Sequence, residues 1–233
     1  MANYSINISL DNGTLNFFAQ NDYWLRIYKG ELTNAVCVNT LWHTTNIFTS
    51  SVSVSWTDDY AGFICPQIPL NKGAYIRASV TPMQLGDVLS MNSSGIASLT
   101  TKGGTAGALT FFNNSHYARI CGAAQSITGT NQLYMAMPML GQGNNVVVPQ
   151  ENVLLVFESG EMAPGTVVSR AINPSLLAKL NPGSPIINIT YDYLNSWNTN
   201  GSTQASVIPG PAAITDQLRK QHNPLLRQIK KLR

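Results

Sequence analysis

The chain has 233 residues and a mass of 25.3 kDa, enough to bury one full hydrophobic core. Apolar residues make up 44% but charged residues only 11%, and the missing charge is replaced by 23 Asn, 20 Ser and 19 Thr. That mixture excludes a coiled coil, a helical bundle and an acidic disordered chain, and no apolar run is long enough for a membrane-spanning helix.

Residues 1–10 alternate polar and apolar side chains, with no basic or continuously apolar stretch. They read as the first strand of a fold and not as a cleaved signal peptide, so the expectation is a cytoplasmically made protein. In chain order, alternation then predicts strands at 14–19, 23–28, 35–42, 51–56, 74–80, 108–112, 117–121, 133–137, 153–158, 166–169 and 186–193. Asn/Gly/Asp clusters separate them, as at Asp11-Asn12-Gly13 and Asn71-Lys72-Gly73. Residues 175–180 fit one helical turn stopped by Pro182, and no segment before 211 carries a sustained apolar stripe at helical spacing. The fold class expected is all-β: an antiparallel, jelly-roll-like β-sandwich over 1–197, a linker over 198–211, and a basic helical tail over 212–233.

The charge is segregated. Residues 1–215 hold 8 Lys+Arg against 10 Asp+Glu, whereas residues 216–233 hold six basic residues and one acid. In the tail, Thr215 can cap a short helix with Asp216 in its first turn and Arg219 and Lys220 near its end. Asn223 and Pro224 then open a second helix, with Leu225, Leu226, Ile229 and Leu232 on one face and Arg227, Lys230, Lys231 and Arg233 around the rest. Such a helix suits a neighbouring subunit, or an anionic partner such as nucleic acid or anionic lipid.

Catalytic signatures are absent from the sequence. Asp58 and Asp59 are adjacent carboxylates in a Trp-Thr-Asp-Asp-Tyr turn, where alternation points them apart and suits capping better than acid/base work. His43, His116 and His222 are isolated, and Lys102-Gly103-Gly104-Thr105 lacks the spacing of a phosphate loop. Cys37, Cys65 and Cys121 fit no zinc pattern and are expected as reduced, buried thiols, so neither metal nor cofactor is expected. Seven Asn-x-Ser/Thr sequons are what such a composition generates by chance. Two features suit a ligand or interface surface. Trp24, Trp42, Trp56 and Trp197, with Tyr60, Tyr75, Tyr191 and Tyr193 close in sequence and Asp58 and Asp59 beside Trp56, either form sugar-stacking platforms or fill a β core. Met135, Met137 and Met139, at period two around Pro138, are either core filler or an adaptable contact surface on an edge strand.

The run Leu41-Trp42, then Val54-Ser55-Trp56-Thr57-Asp58-Asp59-Tyr60-Ala61-Gly62-Phe63, then Leu70-Asn71-Lys72-Gly73-Ala74-Tyr75-Ile76-Arg77-Ala78, resembles small soluble all-β proteins typified by the rhizosphere-expressed RhiA protein. The aromatic after Tyr60 falls one position later here, at Phe63, and the basic tail lies outside the pattern. The resemblance implies a sandwich of strand-core residues and transfers no functional residue. The function expected is a non-catalytic, self-assembling homo-oligomer of coat, filament, capsid or inclusion type. The alternative is a binding module, either a glycan-binding lectin or a membrane-active β-protein, with an enzyme third.

Overall fold

Alternation does what the sequence demands at the start of the chain. In β1 (Asn3–Leu10), Tyr4, Ile6, Ile8 and Leu10 are buried while the odd-numbered residues face outward. The computed structural model describes residues 2–66 and 68–219. After β1 come α1 (Asn12–Gln20), β2 (Tyr23–Thr33), β3 (Val38–Asn39), β4 (His43–Thr45), β5 (Ser51–Pro66), β6 (Thr81–Met83), β7 (Val88–Met91), β8 (Ala97–Thr100) and β9 (Leu109–Asn113). The second half supplies β10 (Arg119–Ile127), β11 (Thr130–Met139), β12 (Asn144–Ser159), β13 (Arg170–Ala171), β14 (Ser175–Lys179), β15 (Ile186–Asp192), β16 (Ser196–Asn198), β17 (Ala205–Ile208), β18 (Ala212–Ala213) and α2 (Ile214–Arg219).

The fold is an all-β, sandwich-like pair of sheets. One runs β16-β15-β1-β5-β10-β11-β3, with β6 beside β5; the other runs β17-β14-β12-β9-β7-β8, with β2 beside β12 and β4 beside β2. Their pairings are antiparallel except for β1 with β15 and β7 with β9. The main core lies between the sheets, built from Ile6, Ile8, Trp42, Val54, Trp56, Met135, Val153, Leu155 and Phe157 among others. A second core forms on the outer side of β2, β12 and β14, where Tyr28, Leu154 and Leu177 meet Ile214 and Leu218 of α2. A third covers the outer side of β10 and β11, where Phe63, Ile120 and Leu133 are packed by Ile68, Leu70, Ala74, Ile76 and Val80.

Several sequence expectations need correction. Residues 14–19 are helical, not a strand: Asp11 accepts the Thr14 N–H at 2.7 Å as N-cap, and helical spacing sends Phe18 into the core. There Phe18 meets Phe157 at 4.6 Å between ring centroids, so tertiary burial overrides the helix-poor Asn12-Gly13 start. The segment 175–180 is no helical turn: Ser175–Lys179 form β14, since Ser175, Leu176, Leu177 and Ala178 are buried between β12 and β17. Residues 74–80 and 166–169 are a largely irregular covering, joined to each other by the bridge Tyr75–Thr166 and to the sheet side by Thr40–Val167. The stretch expected as a linker carries β17, which pairs with β14. Thr215 lies inside the first turn of α2 and donates its hydroxyl to Asn39 Oδ1 at 2.8 Å instead of capping.

Candidate functional site

Sequence reasoning missed the most polar part of the interior. In β12, the residues between Pro149, paired with Glu31, and Val153, paired with Lys29, form a bulge against β2. A bulge re-aims side chains, and this one turns Glu151 inward. Glu151 Oε2 accepts hydrogen bonds from Lys29 Nζ at 2.8 Å and Trp56 Nε1 at 2.6 Å, and Oε1 accepts one from Tyr60 at 3.2 Å. Lys29 is fully buried, its ammonium 5.3 Å from the Trp42 ring and 5.8 Å from the Trp56 ring. Burial pulls the Lys29 pKa down against the opposing pull of Glu151, and burial followed by the Glu151 charge pushes the Tyr60 phenol up. In the sequence Lys29 falls one residue past a predicted strand and Glu151 two residues before another, between Gln150 and Asn152, so neither stands out from its neighbours.

A second buried charge lies nearby. Glu31 accepts from the Cys37 thiol at 2.9 Å, from Asn39 Nδ2 at 3.0 Å and from Arg219 Nη2 at 3.3 Å. Burial raises the Glu31 pKa, and Arg219, Cys37 and Asn39 act to lower it. Arg219, expected among the cations facing a partner, is therefore spent on its own domain, where it also contacts Cys37 Sγ. Ile214 and Leu218 are buried beside it, so the first turn and a half of the tail packs on the sandwich. Lys220, Leu225, Leu226, Arg227, Ile229, Lys230, Lys231, Leu232 and Arg233 lie outside the described residues.

The predicted surface residues divide. Met135, Met137 and Met139 are buried, and so are Trp56 and Tyr60; they fill the core and are not a contact surface or a sugar-stacking platform. Trp42 and Trp197 are buried too. The reason is register: β11 pairs along its length with β10, which fixes its odd-numbered methionines toward the opposite sheet. Asp58 and Asp59 stand in β5, not in a turn. They point apart as alternation requires, Asp58 toward the Ala2 N–H at 3.2 Å and Asp59 toward the Thr57 hydroxyl at 2.5 Å. No group of three or more His, Cys, Asp or Glu able to hold a metal occurs among the described residues.

What the sheet leaves bare is a neutral polar face. The 68–80 segment covers the outer side of β10 and β11 but not that of β15, β1 and the first half of β5. There the register aligns Ile186, Ser5 and Ser55 in one row, Asn188, Asn7 and Ser53 in the next, and Thr190, Ser9 and Ser51 in a third. Asn7 ties the rows: its Nδ2 donates to Asn188 Oδ1 at 2.9 Å, and its Oδ1 accepts from Ser53 at 2.9 Å. None of these nine side chains is charged. Along the strands the nearest charges of the same face are Asp59 on β5 and Asp192 on β15, one carboxylate at either end.

Two strand edges share this neutrality. β8 and β17 close the two ends of the second sheet, and their sequences, Ala-Ser-Leu-Thr and Ala-Ser-Val-Ile, hold neither proline nor charge. Shortness is what limits pairing there, since each strand is only four residues long and neither adds a charge or a proline. No protein-family model, curated protein or solved structure matches this chain.

Proposed function

We propose that the chain is a non-catalytic structural β-sandwich that works by self-association, its neutral Ser/Asn/Thr face forming the contact between copies. The observation that carries this reading is the bare, uncharged array on β15, β1 and β5. A face of hydroxyls and amides presents both donors and acceptors, and no ion has to be desolvated when it is covered. Burial of Trp42, Trp56, Trp197 and Tyr60 agrees with this reading, since it takes four of the expected ring platforms out of a sugar's reach and leaves Trp24, Tyr75, Tyr191 and Tyr193 at least partly exposed. Charge complementarity supplies a second contact. The body holds 8 basic and 10 acidic residues over 1–215, and the remaining segment is strongly basic. That segment then meets the acidic ends of a neighbour's face, or an anionic partner enclosed by the assembly.

Light scattering on the full chain, on an Asn7→Lys/Ser53→Lys variant and on a chain ending at Arg219 tests the reading. The expected result is a native mass that is a multiple of 25.3 kDa, falling to the monomer in the face variant, with partial loss on removing the tail. A full-length chain that stays monomeric at high concentration would refute it.

A further inference from the structure

Of the 23 asparagines, two are followed by glycine, Asn12 and Asn200. Glycine leaves its own main-chain nitrogen unshielded by a Cβ, which favours attack of that nitrogen on the preceding Asn side chain. Fold, not sequence, separates the two pairs. We propose that Asn200 is a self-modification site, converted through a cyclic succinimide to aspartate and isoaspartate, while α1 protects Asn12.

The backbone supplies the first argument. Asn200 and Gly201 are the exposed centre of the turn between β16 and β17, at φ +51° and +77°, closed by the Ser202 N–H on the Thr199 carbonyl at 2.9 Å. The Gly201 N–H makes no hydrogen bond among the described residues. A left-handed asparagine is held at a cost, so rotating its ψ to bring the Gly201 nitrogen onto Cγ forfeits little. Asn12 opens α1, and the same rotation there would undo the helix start. Asp11 accepts the Thr14 N–H at 2.7 Å, and Thr14 and Phe18 are buried behind it.

The side chain supplies the second. Thr190 donates its hydroxyl to Asn200 Oδ1 at 3.2 Å, on the oxygen that gathers negative charge as the ring closes. Nδ2, the leaving nitrogen, has only a long contact of 3.4 Å to the Asn188 carbonyl. The Gly201 nitrogen gives its proton to water or hydroxide and bonds to Cγ. The Cγ–Nδ2 bond then breaks, and ammonia leaves with a proton from solvent. One water reopens the ring, at Cγ to give aspartate or at the main-chain carbonyl to give isoaspartate. The sum is one water consumed and one ammonia released.

Either product puts a carboxylate beside Thr190 and Asn188, two members of the neutral face. The consequence for assembly rests on the reading of that face as the contact between copies. A new charge there must be desolvated when the face is covered, so conversion weakens association.

Peptide mapping by mass spectrometry tests the proposal, on native full chain incubated in heavy-oxygen water at mildly alkaline pH and physiological temperature. Asn200 should take up heavy oxygen, with isoaspartate among the products, about tenfold or more faster than Asn12. In urea the two sites should convert at similar rates, because the fold that separates them is gone. Thr190→Val should slow Asn200 severalfold in native chain and leave its rate in urea unchanged. If that variant fails to fold, the wild-type time course decides alone. The proposal is overturned if Asn200 keeps its amide in native chain, if Asn12 keeps pace with it, or if only aspartate forms, the mark of direct hydrolysis. Light scattering on Asn200→Asp reads the consequence separately and should show weaker association than wild type. A wild-type chain that is monomeric from the start refutes the self-association reading, while the peptide map still decides the chemistry at Asn200.

Discussion

Glu151 Oε2 lies 2.8 Å from Lys29 Nζ, and the ion pair they form is sealed between two sheets with the lysine fully buried. In a chain with so few charges, that placement is costly unless every neighbour takes part. Trp56 and Tyr60 donate to the carboxylate, and Trp42 and Trp56 face the ammonium. Each supplies a partner that water would otherwise provide.

Removing one member should expose the cost. Lys29→Met leaves Glu151 charged against Trp56 and Tyr60, and should lower unfolding stability by about 3–5 kcal/mol. The Lys29→Met/Glu151→Gln double variant should recover part of that loss. Urea unfolding followed by tryptophan fluorescence reads both, and a double variant no more stable than Lys29→Met would show that the unpaired Glu151 charge is not the source of the loss.

Gly122 in β10 tests the packing between strands. A Cβ there would lie 2.3 Å from the Met135 carbonyl oxygen and 2.6 Å from the Phe63 ring. Gly122→Ala should therefore destabilise the protein by about 1–3 kcal/mol, through a main-chain shift that β11 resists. A thermal melt matching wild type would mean that the sheet relaxes freely at this point.

His43 gives the fold a pH dependence. Burial lowers its pKa from the ordinary 6.5, so the folded state resists taking the proton that the unfolded chain accepts. The unfolded state then binds more protons below that value, and stability should fall as pH drops from neutrality through 6.5 toward the lowered folded pKa. His43→Gln should flatten this part of the profile in urea titrations at successive pH values. An unchanged slope would assign the effect to other groups.

The thiols should react unequally. Burial pushes Cys121 up to about 12 and Cys37 well above the ordinary thiol value, while half-buried Cys65 is raised as well. In native protein at mildly alkaline pH, a disulfide reagent should label Cys65 slowly and leave the other two silent until unfolding. Rapid labelling of Cys37 would show that the contact between α2 and β2 opens readily.

The sequence by itself determined the all-β class, the strands whose alternation is strict, and the segregation of positive charge into the tail. The period-two runs at 4–10 and 51–56 could bury one side only as a two-faced sheet, so both were legible. Tertiary structure alone decided the rest. Phe18 chose a helix because the core offered it Phe157, and Leu176 and Leu177 chose a strand because β12 and β17 stood on either side. Met135, Met137 and Met139 became core because β10 fixed their register, a fact that lies in residues ten or more positions away. Lys29 and Glu151, 122 positions apart, met only when a bulge turned one toward the other. The neutral face was present in the sequence as scattered Ser, Asn and Thr. Pairing β15, β1 and β5 in register made it a surface, because only hydrogen-bonded strands bring residues so distant in the chain side by side.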